Sequence, residues 1–108
     1  MLTLYGLKAC DTCRKARKAL EKAGKSVEFV DVRDTPLSAD DLARFHGEFG
    51  DALINHKSTT WRALTEAERS EAPLKLLETY PALMKRPVIA GKTLTLGWDA
   101  TAQSAHLG

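Results

Sequence analysis

The stretch MLTLYGLKACDTCRKARKALEKAGKSVEFVDV, residues 1–32, decides the fold. It begins with an apolar run, residues 1–5, that is typical of a strand. Helical periodicity follows, and we predict a helix over residues 11–23 that ends at Gly24. Residues 27–32 then have the composition of a second strand. A strand, a helix and a strand in so short a segment predict a right-handed parallel β-α-β unit.

Two cysteines, Cys10 and Cys13, lie at the start of the predicted helix. Residues with this spacing on one turn have Cα atoms roughly 5 Å apart, which is within disulfide range. Cys10 falls where unpaired backbone N–H groups and the positive helix end stabilise a thiolate. Helix N-termini in C-x-x-C motifs lower a thiol pKa from about 8.5 into the range of roughly 3.5–7.5. The pattern therefore predicts a redox-active dithiol in which Cys10 is the low-pKa thiol.

The cysteine pair has three alternatives to a redox role. The pair could be half of a zinc site, but structural zinc usually takes four Cys or His ligands. His46, His56 and His106 do not form an H-x₃₋₅-H pair, so we expect no metal site. The cysteines could be small buried hydrophobic residues, which suits Cys13 better than Cys10. A purely structural disulfide is the third alternative, although so short a loop restricts the unfolded chain little.

The composition of the whole chain limits the class of protein. A length of 108 residues, with 44% hydrophobic and 28% charged residues, predicts one soluble globular domain, residues 1–108. The net charge of +2 is too small and too evenly spread to indicate direct nucleic-acid binding. No apolar run is long enough to span a membrane, and the N-terminus lacks the pattern of a signal peptide. We therefore expect a cytoplasmic protein, and we take it to be a monomer.

Positive charge is densest around the cysteine pair, at Lys8, Arg14, Lys15, Arg17 and Lys18. One interpretation is a solvated helix face. The other is that these cations favour a thiolate and attract an anionic thiol such as glutathione. The two interpretations are compatible.

The middle of the chain is predicted to be helical. Ser38, followed by two aspartates, starts a helix that carries Leu42, Phe45 and Phe49 on one face. We expect a short buried turn at residues 53–54 and a polar loop at residues 58–62, anchored by Trp61. Thr65 and Glu68 form a capping-box signature for another short helix. A further apolar helix face, ending at Pro81, is expected from Leu74, Leu76, Leu77 and Tyr80.

Two more strands and a helix complete the pattern. Residues 88–90 and 93–96 read as strands on either side of a Gly91-Lys92 hairpin turn. Asp99 is expected to cap a C-terminal helix over residues 100–107. The order is β-α-β, a helical insertion at roughly 38–85, and then β-β-α. This order predicts a thioredoxin-like α/β fold, a small mixed sheet with helices packed against it.

Several separate motifs resemble the ArsC/Spx superfamily, and most of all its short YffB-type, arsenate-reductase-like members. These motifs are YGLKACDTCRKARKALE at 5–21, DALINHKSTTWRAL at 51–64, LMKRPVI at 83–89 and LGW at 96–98. They occur in the family's order and cover essentially the whole chain. The resemblance implies the thioredoxin-like fold and a thiol-based activity.

The resemblance also implies roles for individual residues. Cys10 matches the family's nucleophilic cysteine, and Cys13 matches the second cysteine of Spx-type members. Arg86 matches the arginine that faces the nucleophile and binds an anionic substrate or a glutathionyl partner, and Pro87 matches the cis-proline opposite it. The alternatives are that Arg86 is a solvated flank and that Pro87 starts a strand in the trans form, which about 95% of X-Pro bonds adopt. Lys8 is expected to help to hold the thiol substrate.

Other matching positions are expected to be structural, and two depart from the family pattern. Trp61 is expected to anchor packing, and His46 and His56 to be exposed polar residues. Asn55 and Leu96 stand where arsenate reductases of this superfamily carry arginines. A tetrahedral oxyanion needs several converging donors, so we expect arsenate to be a poor substrate.

Two functions from different classes are compatible with these motifs. The first is a thiol–disulfide oxidoreductase in which Cys10 attacks, Cys13 resolves, and no bound cofactor is needed. Its reductant and partner would be glutathione or a glutaredoxin- or thioredoxin-type protein. The second is an Spx-like redox-sensing regulator that binds the α-subunit of RNA polymerase. The chain ends at Gly108, soon after LGW, without the longer basic extension of Spx proteins, which favours the enzyme.

Overall fold

The computed structural model describes residues 1–107, which form four strands and six α-helices. In chain order the strands and helices are β1 (Leu2–Gly6), α1 (Asp11–Lys22), β2 (Val27–Asp31), α2 (Ala39–Phe49), α3 (Thr59–Ala63), α4 (Glu66–Arg69), α5 (Pro73–Thr79), β3 (Val88–Ala90), β4 (Leu94–Leu96) and α6 (Ala100–Leu107). Two 3₁₀ turns, Gly50–Leu53 and Pro81–Leu83, come directly after α2 and shortly before β3.

The four strands form one mixed sheet in the order β2-β1-β3-β4. Strands β1 and β2 are parallel, with Leu4 opposite Phe29, so the predicted β-α-β unit is confirmed. Strand β3 runs antiparallel to β1, with Ile89 opposite Leu4, and β4 returns beside β3 as the predicted hairpin. The start of β1 and the end of β3 therefore lie at the same edge of the sheet.

The chain divides into two compact units. The first contains Met1–Val32 and the chain from Arg86 through α6, and it holds the whole sheet together with α1 and α6. The second contains Arg33–Lys85, which holds helices α2–α5. Every candidate site residue predicted from the cysteine motif and the Arg-Pro pair belongs to the first unit.

The core of the first unit lies between α1 and the sheet. Leu4 and Ile89 from the paired strands meet Cys13, Ala16 and Leu20 from α1, and all five are fully buried. The three helical residues recur with the helical period, which is why one face of α1 can cover the apolar face of the sheet. Burying a Leu or Ile side chain contributes about 1.5–3 kcal/mol, so this cluster fixes α1, and the cysteines at its start, on the sheet.

In the second unit, α2 packs against α5. Ser38 begins α2 as predicted, because its side-chain oxygen accepts the N–H of Asp41 at 3.1 Å. Leu42 and Phe45 of α2 and Leu76 and Leu77 of α5 are buried, so these residues supply the apolar faces of the pair.

Two predictions for the secondary structure and apolar faces of the second unit are wrong. Residues 58–62, expected as a polar loop, contain most of α3, because the Ser58 hydroxyl accepts the N–H of Trp61 at 3.1 Å and caps a helix there. Leu74, expected on the apolar face of α5, is 37% exposed. The buried stripe of α5 is formed by Leu76 and Leu77, and Leu74 points outward from the turn before them.

None of the helices in residues 1–107 is long and apolar enough to cross a lipid bilayer.

Candidate active site

Cys10 is the N-cap residue of α1, in the extended conformation that precedes a helix, as predicted. Its carbonyl accepts the N–H of Arg14 at 3.1 Å, which is the first hydrogen bond of the helix, and its own N–H donates to the carbonyl of Leu7. Its side chain is half-buried. Backbone hydrogen bonds on both sides therefore fix Cys10, and its half-buried side chain lies at the positive end of α1.

The pKa of the Cys10 thiol is lowered. Partial burial acts in the opposite direction, but the backbone N–H and thiol of Cys13 and the guanidinium of Arg86 outweigh it. The Cys10 side chain forms no N-cap hydrogen bond of normal geometry. The Cys13 N–H therefore acts on the Cys10 sulfur as a nearby dipole. A lowered pKa increases the fraction of Cys10 present as the nucleophilic thiolate at neutral pH.

Cys13 lies one turn further along α1, and its environment raises the pKa of its thiol. Its side chain is fully buried in the core of the first unit. Burial raises the pKa of Cys13 to about 12, with a further increase from the neighbouring Cys10 sulfur, although the backbone of Leu7 and the charge of Arg86 oppose it. Both cysteines are free thiols, so the pair consists of a half-exposed thiolate former and a buried protonated thiol.

Gly6, at the end of β1, makes room for Cys13. A Cβ atom at Gly6 would overlap the Cys13 sulfur, and its next contact would be the Cys13 Cβ at 3.2 Å. The carbonyl of Gly6 also accepts the N–H of Val32 at 2.9 Å. This role of Gly6 was not predicted, because the only signal for it in the sequence is a glycine at the end of an apolar strand just before the cysteine motif.

Arg86 and Pro87 enter the site directly before β3. The Arg86–Pro87 peptide bond is cis, as the family resemblance implied. Pro87 is buried, and its carbonyl accepts the N–H of Gly97 at 2.8 Å. The guanidinium of the half-buried Arg86 lies beside the Cys10 thiol, where it lowers the pKa of that thiol. Two residues far apart in the sequence are thus brought together by the antiparallel pairing of β3 with β1.

Lys8 lies in the loop between β1 and α1, with its side chain exposed. Its backbone N–H donates to the Asp31 carboxylate at 2.9 Å, which ties the loop to the end of β2. Lys8 is not among the groups that shift the pKa of Cys10. Its predicted contact with a thiol substrate stays a prediction.

The two arginines of α1 form local contacts on its exposed surface. Arg14 pairs with Asp11, and Arg17 lies 3.7 Å from Glu21 and over the ring of Phe29. The charge that lowers the pKa of Cys10 therefore comes from Arg86 and not from these helix cations.

Within residues 1–107 no group of three or more His, Cys, Asp or Glu side chains is arranged to hold a metal ion.

The model of the ArsC family matches residues 5–105, which is nearly the whole chain. This chain belongs to the ArsC family. The match includes the cysteine pair, Arg86 and Pro87, so the family relationship covers every residue of the candidate active site.

Three relatives of this ArsC-family protein indicate its place within the family. An uncharacterized protein of Haemophilus influenzae is 39% identical over 101 residues, covering 87% of this chain and 89% of the relative. The global transcriptional regulator Spx of Listeria innocua is 31% identical over 107 residues, covering 92% of this chain and 81% of Spx. The solved structure of a YffB protein superimposes with a TM-score of 0.90 at 32% identity over the full length of both chains. The predicted thioredoxin-like α/β fold and the likeness to YffB and Spx are confirmed.

Asn55 and Leu96 occupy the two positions at which the resemblance implied arginines in arsenate reductases. The Asn55 side-chain oxygen accepts the N–H of Lys57 at 3.1 Å, and its carbonyl accepts the Ser58 hydroxyl at 2.8 Å, so Asn55 stabilises the turn before α3. Leu96 is half-buried in β4, paired with Val88. Neither residue can supply a positive charge to an oxyanion.

Three residues of the second unit were expected to be structural. Trp61 is half-buried, its ring 4.6 Å from that of His56 in an edge contact and 5.3 Å below the guanidinium of Arg69. It therefore anchors α3 and α4 locally, as predicted. His56 is exposed as expected, but His46 is half-buried, and its Nε2 is buried with no hydrogen-bond partner among residues 1–107. The prediction for His46 is wrong, because α2 turns that side of the residue inward.

Proposed function

We propose that this ArsC-family protein is a thiol–disulfide oxidoreductase with Cys10 as its nucleophile. The observation that carries the proposal is the asymmetry of the two thiols. Cys10 is half-exposed with a lowered pKa, whereas Cys13, one turn away, is buried with a pKa raised to about 12. A dithiol exchange enzyme needs two thiols of different reactivity, because one sulfur attacks the substrate first and the other attacks the mixed disulfide afterwards.

In the first step the Cys10 thiolate attacks one sulfur of a substrate disulfide. A bond forms between Cys10 and that sulfur, the substrate S–S bond breaks, and the other half leaves as a thiolate that takes up a proton. The positive end of α1 and the Arg86 guanidinium support the thiolate before the attack. An anionic substrate such as a glutathione disulfide would place a carboxylate beside Arg86 or the exposed Lys8.

In the second step Cys13 loses its proton and attacks Cys10. The Cys10–Cys13 disulfide forms, the second half of the substrate leaves as a thiolate, and two electrons have passed from the protein to the substrate. Two molecules of glutathione, or one dithiol redoxin, return the protein to its reduced form and are oxidised in turn.

The burial of Cys13 makes this second step the slower one. Once Cys10 carries a substrate sulfur it no longer has a negative charge, so the contribution of Cys10 to the high pKa of Cys13 disappears. Burial, the larger contribution, remains. Free glutathione can instead attack the mixed disulfide at Cys10 directly. We therefore propose glutathione as a co-substrate that can release the product without Cys13.

The test is mass spectrometry of the Cys13→Ser variant after incubation with oxidised glutathione. One glutathionyl group should appear on Cys10, and reduced glutathione should remove it. Cys10→Ser is the matched control, and it should stay unmodified because Cys13 is buried. An unmodified Cys13→Ser protein would contradict the proposal.

A second candidate function is an Spx-like regulator that binds the α-subunit of RNA polymerase. It is favoured by the 31% identity to Spx over 92% of this chain. Its test is retention of the protein on the immobilised C-terminal domain of that subunit, with the cysteines reduced and then oxidised. Retention that depends on the Cys10–Cys13 disulfide would favour the regulator, and equal absence of binding in both states would favour the enzyme.

A further inference from the structure

A cavity lies in the first compact unit, at the opposite edge of the sheet from Cys10. Its volume is about 370 Å³, which is within the range of roughly 300–1,000 Å³ typical of small-molecule sites. The residues that give it its chemistry are Leu2, Lys25, Ser26, Gly91, Lys92 and His106. The proposed thiol chemistry uses none of them.

The sheet topology places these residues together. Leu2 begins β1, whereas Cys10 follows the end of that strand. Ser26 precedes β2, which is parallel to β1, and Gly91 follows β3, which is antiparallel to it. All three therefore lie at one edge of the sheet, and the last turn of α6 adds His106.

Two lysines give the cavity a positive charge. Lys25 follows the left-handed Gly24 at the end of α1, and its backbone N–H donates to the carbonyl of Leu20 at 3.0 Å. Lys92 lies in the turn between β3 and β4. Within residues 1–107 neither ammonium group forms an ion pair with a carboxylate, and no acidic side chain lines the cavity. Among residues 1–107, therefore, no carboxylate competes with a ligand for these two charges.

His106 adds a fixed polar group. Its Nε2 lies 2.8 Å from the Thr95 hydroxyl, and both side chains are buried, with 5% and 7% of their surface exposed. The other ring nitrogen, Nδ1, lies 3.6 Å from where a Cβ on Gly91 would be, so it faces the residue that lines the cavity. Since burial lowers the pKa of His106, the ring offers a hydrogen bond rather than a charge.

Gly91 and Leu2 form the apolar part of the cavity. A Cβ at Gly91 would overlap the side chain of Leu2, so the absence of a side chain at Gly91 allows Leu2 to lie against the hairpin. The cavity therefore combines an apolar surface with two cations and a hydrogen-bonding ring. A neutral apolar ligand would leave the cations unused, and a bare anion would leave the apolar surface unused.

We propose that this cavity binds a small molecule that carries a phosphate or carboxylate group on an apolar body. The anionic group would lie between Lys25 and Lys92, within reach of the His106 ring. Lysine binds such groups as a point charge, and both lysines are exposed, so an anionic group can approach them from solvent. The site is separate from Cys10, so binding there does not depend on thiol chemistry.

The experiment is a titration of the ¹⁵N-labelled full chain with phenyl phosphate and, separately, with benzoate. Benzyl alcohol is the neutral probe of similar shape. We expect amide shifts centred on residues 25, 26, 91, 92 and 106, with benzyl alcohol bound at least tenfold more weakly than the better of the two anions. The comparison of phenyl phosphate with benzoate shows which anionic group the site prefers.

The Lys25→Gln/Lys92→Gln variant should weaken anion binding at least tenfold. Its matched control is Lys15→Gln/Lys18→Gln, which removes the same charge from the exposed surface of α1 and should leave binding unchanged. The dispersion of the amide spectrum shows whether each variant is folded. Ala105 of α6 also lines the cavity, so Ala105→Leu, which adds bulk there without changing the charge, should abolish binding too. Equal weakening of anion binding in the two double lysine variants would overturn the proposal. Amide shifts centred on α1 instead of the cavity would overturn it as well.

Discussion

The Cys13 sulfur packs against Gly6 in the space that a Cβ atom would occupy in any other residue. A Cβ at Gly6 would overlap the Cys13 sulfur, and the buried thiol therefore lies against the backbone at the end of β1. This contact sets how deeply α1 sits on the sheet at the turn that carries both cysteines. The position of the buried Cys13 thiol thus depends on a glycine that has no side chain of its own.

Replacing Gly6 by alanine should therefore destabilise the protein through Cys13. We expect Gly6→Ala to lower the free energy of unfolding by about 1–3 kcal/mol, as overpacking of a core does. In a Cys13→Ala background the same change should have a much smaller effect, because the overlapping sulfur is gone. Urea unfolding of the four proteins of this double-mutant cycle measures the coupling.

The control for this prediction is Gly47→Ala on α2. A Cβ at Gly47 would have no neighbour within 4 Å, and the residue is exposed within a helix. Alanine there should stabilise the protein by about 0.5–1 kcal/mol, because glycine loses more backbone entropy in a helix. Additive effects of Gly6→Ala and Cys13→Ala would show that the contact carries no energy.

Arg86 should control the pKa of Cys10. In a Cys13→Ser background, thiolate absorbance against pH should give a Cys10 pKa below its ordinary value, and Arg86→Gln should move it upward. The reason is the loss of a hydrogen bond to the sulfur and of a positive charge beside it. Arg14→Gln is the matched control, because Arg14 pairs with Asp11 and should leave the titration unchanged. Equal shifts from both arginine variants would indicate a general charge effect.

Cys10 and Cys13 should form a reversible intramolecular disulfide. Their spacing on one helical turn allows it, and the sulfurs are close enough for the Cys13 thiol to act on Cys10. Both free thiols should disappear after mild oxidation and return after reduction, as a thiol assay measures. The oxidised protein should still run as a monomer on a non-reducing gel. A covalent dimer, or the loss of a single thiol, would contradict the prediction.

Much of this site could be predicted from the sequence because its signals are local. An apolar strand, a helical period and two cysteines at the helix start place Cys10 as the N-cap and Cys13 on the buried face. The contributions of Gly6 and Arg86 depend on tertiary structure. No local pattern shows which atom a Cβ at Gly6 would meet, and only the pairing of β3 with β1 brings Arg86 to Cys10.

The errors have similar physical causes. The segment at 58–62 was predicted as a loop because its residues are polar, but one hydroxyl, that of Ser58, satisfies a backbone N–H and starts α3. His46 was predicted to be exposed because histidine is polar, yet it lies beside Phe45 on a helix that packs against α5. Residue type sets a preference, and the packing partner decides the outcome.

Lowering the pH should weaken the fold through His106. Burial lowers the pKa of His106 below the value of about 6.5 that the unfolded chain has, so the unfolded state takes up the proton more readily. The contribution of the neutral His106 ring to the free energy of unfolding is therefore complete above about pH 6.5, and it is lost as the pH falls below that value. His106→Gln, which removes the titrating ring, should show a smaller loss of stability on acidification than the parent protein. Urea unfolding of both proteins across this pH range measures this loss.

Arsenate reduction should be weak or absent, while glutathione-dependent disulfide exchange should be measurable. Of the three arginines that the family resemblance implies for an arsenate site, Arg86 is present, and Asn55 and Leu96 replace the others. Each charge-assisted hydrogen bond contributes about 1.5–3 kcal/mol. Losing two of them removes roughly 3–6 kcal/mol, or about two to four orders of magnitude in transition-state binding.

A disulfide substrate does not need the missing arginines, because its reacting atom is a neutral sulfur. One cation and the positive end of α1 suffice to hold a carboxylate near Cys10, and Arg86 and the Cys10 turn can supply them. The measurement is glutathione-coupled turnover of arsenate and of a small disulfide by the same preparation, with a known arsenate reductase as the positive control and Cys10→Ser as the blank. Arsenate turnover comparable to that of the positive control would contradict the prediction, because another cation, such as Lys57 or Arg62, would then have to complete an oxyanion site.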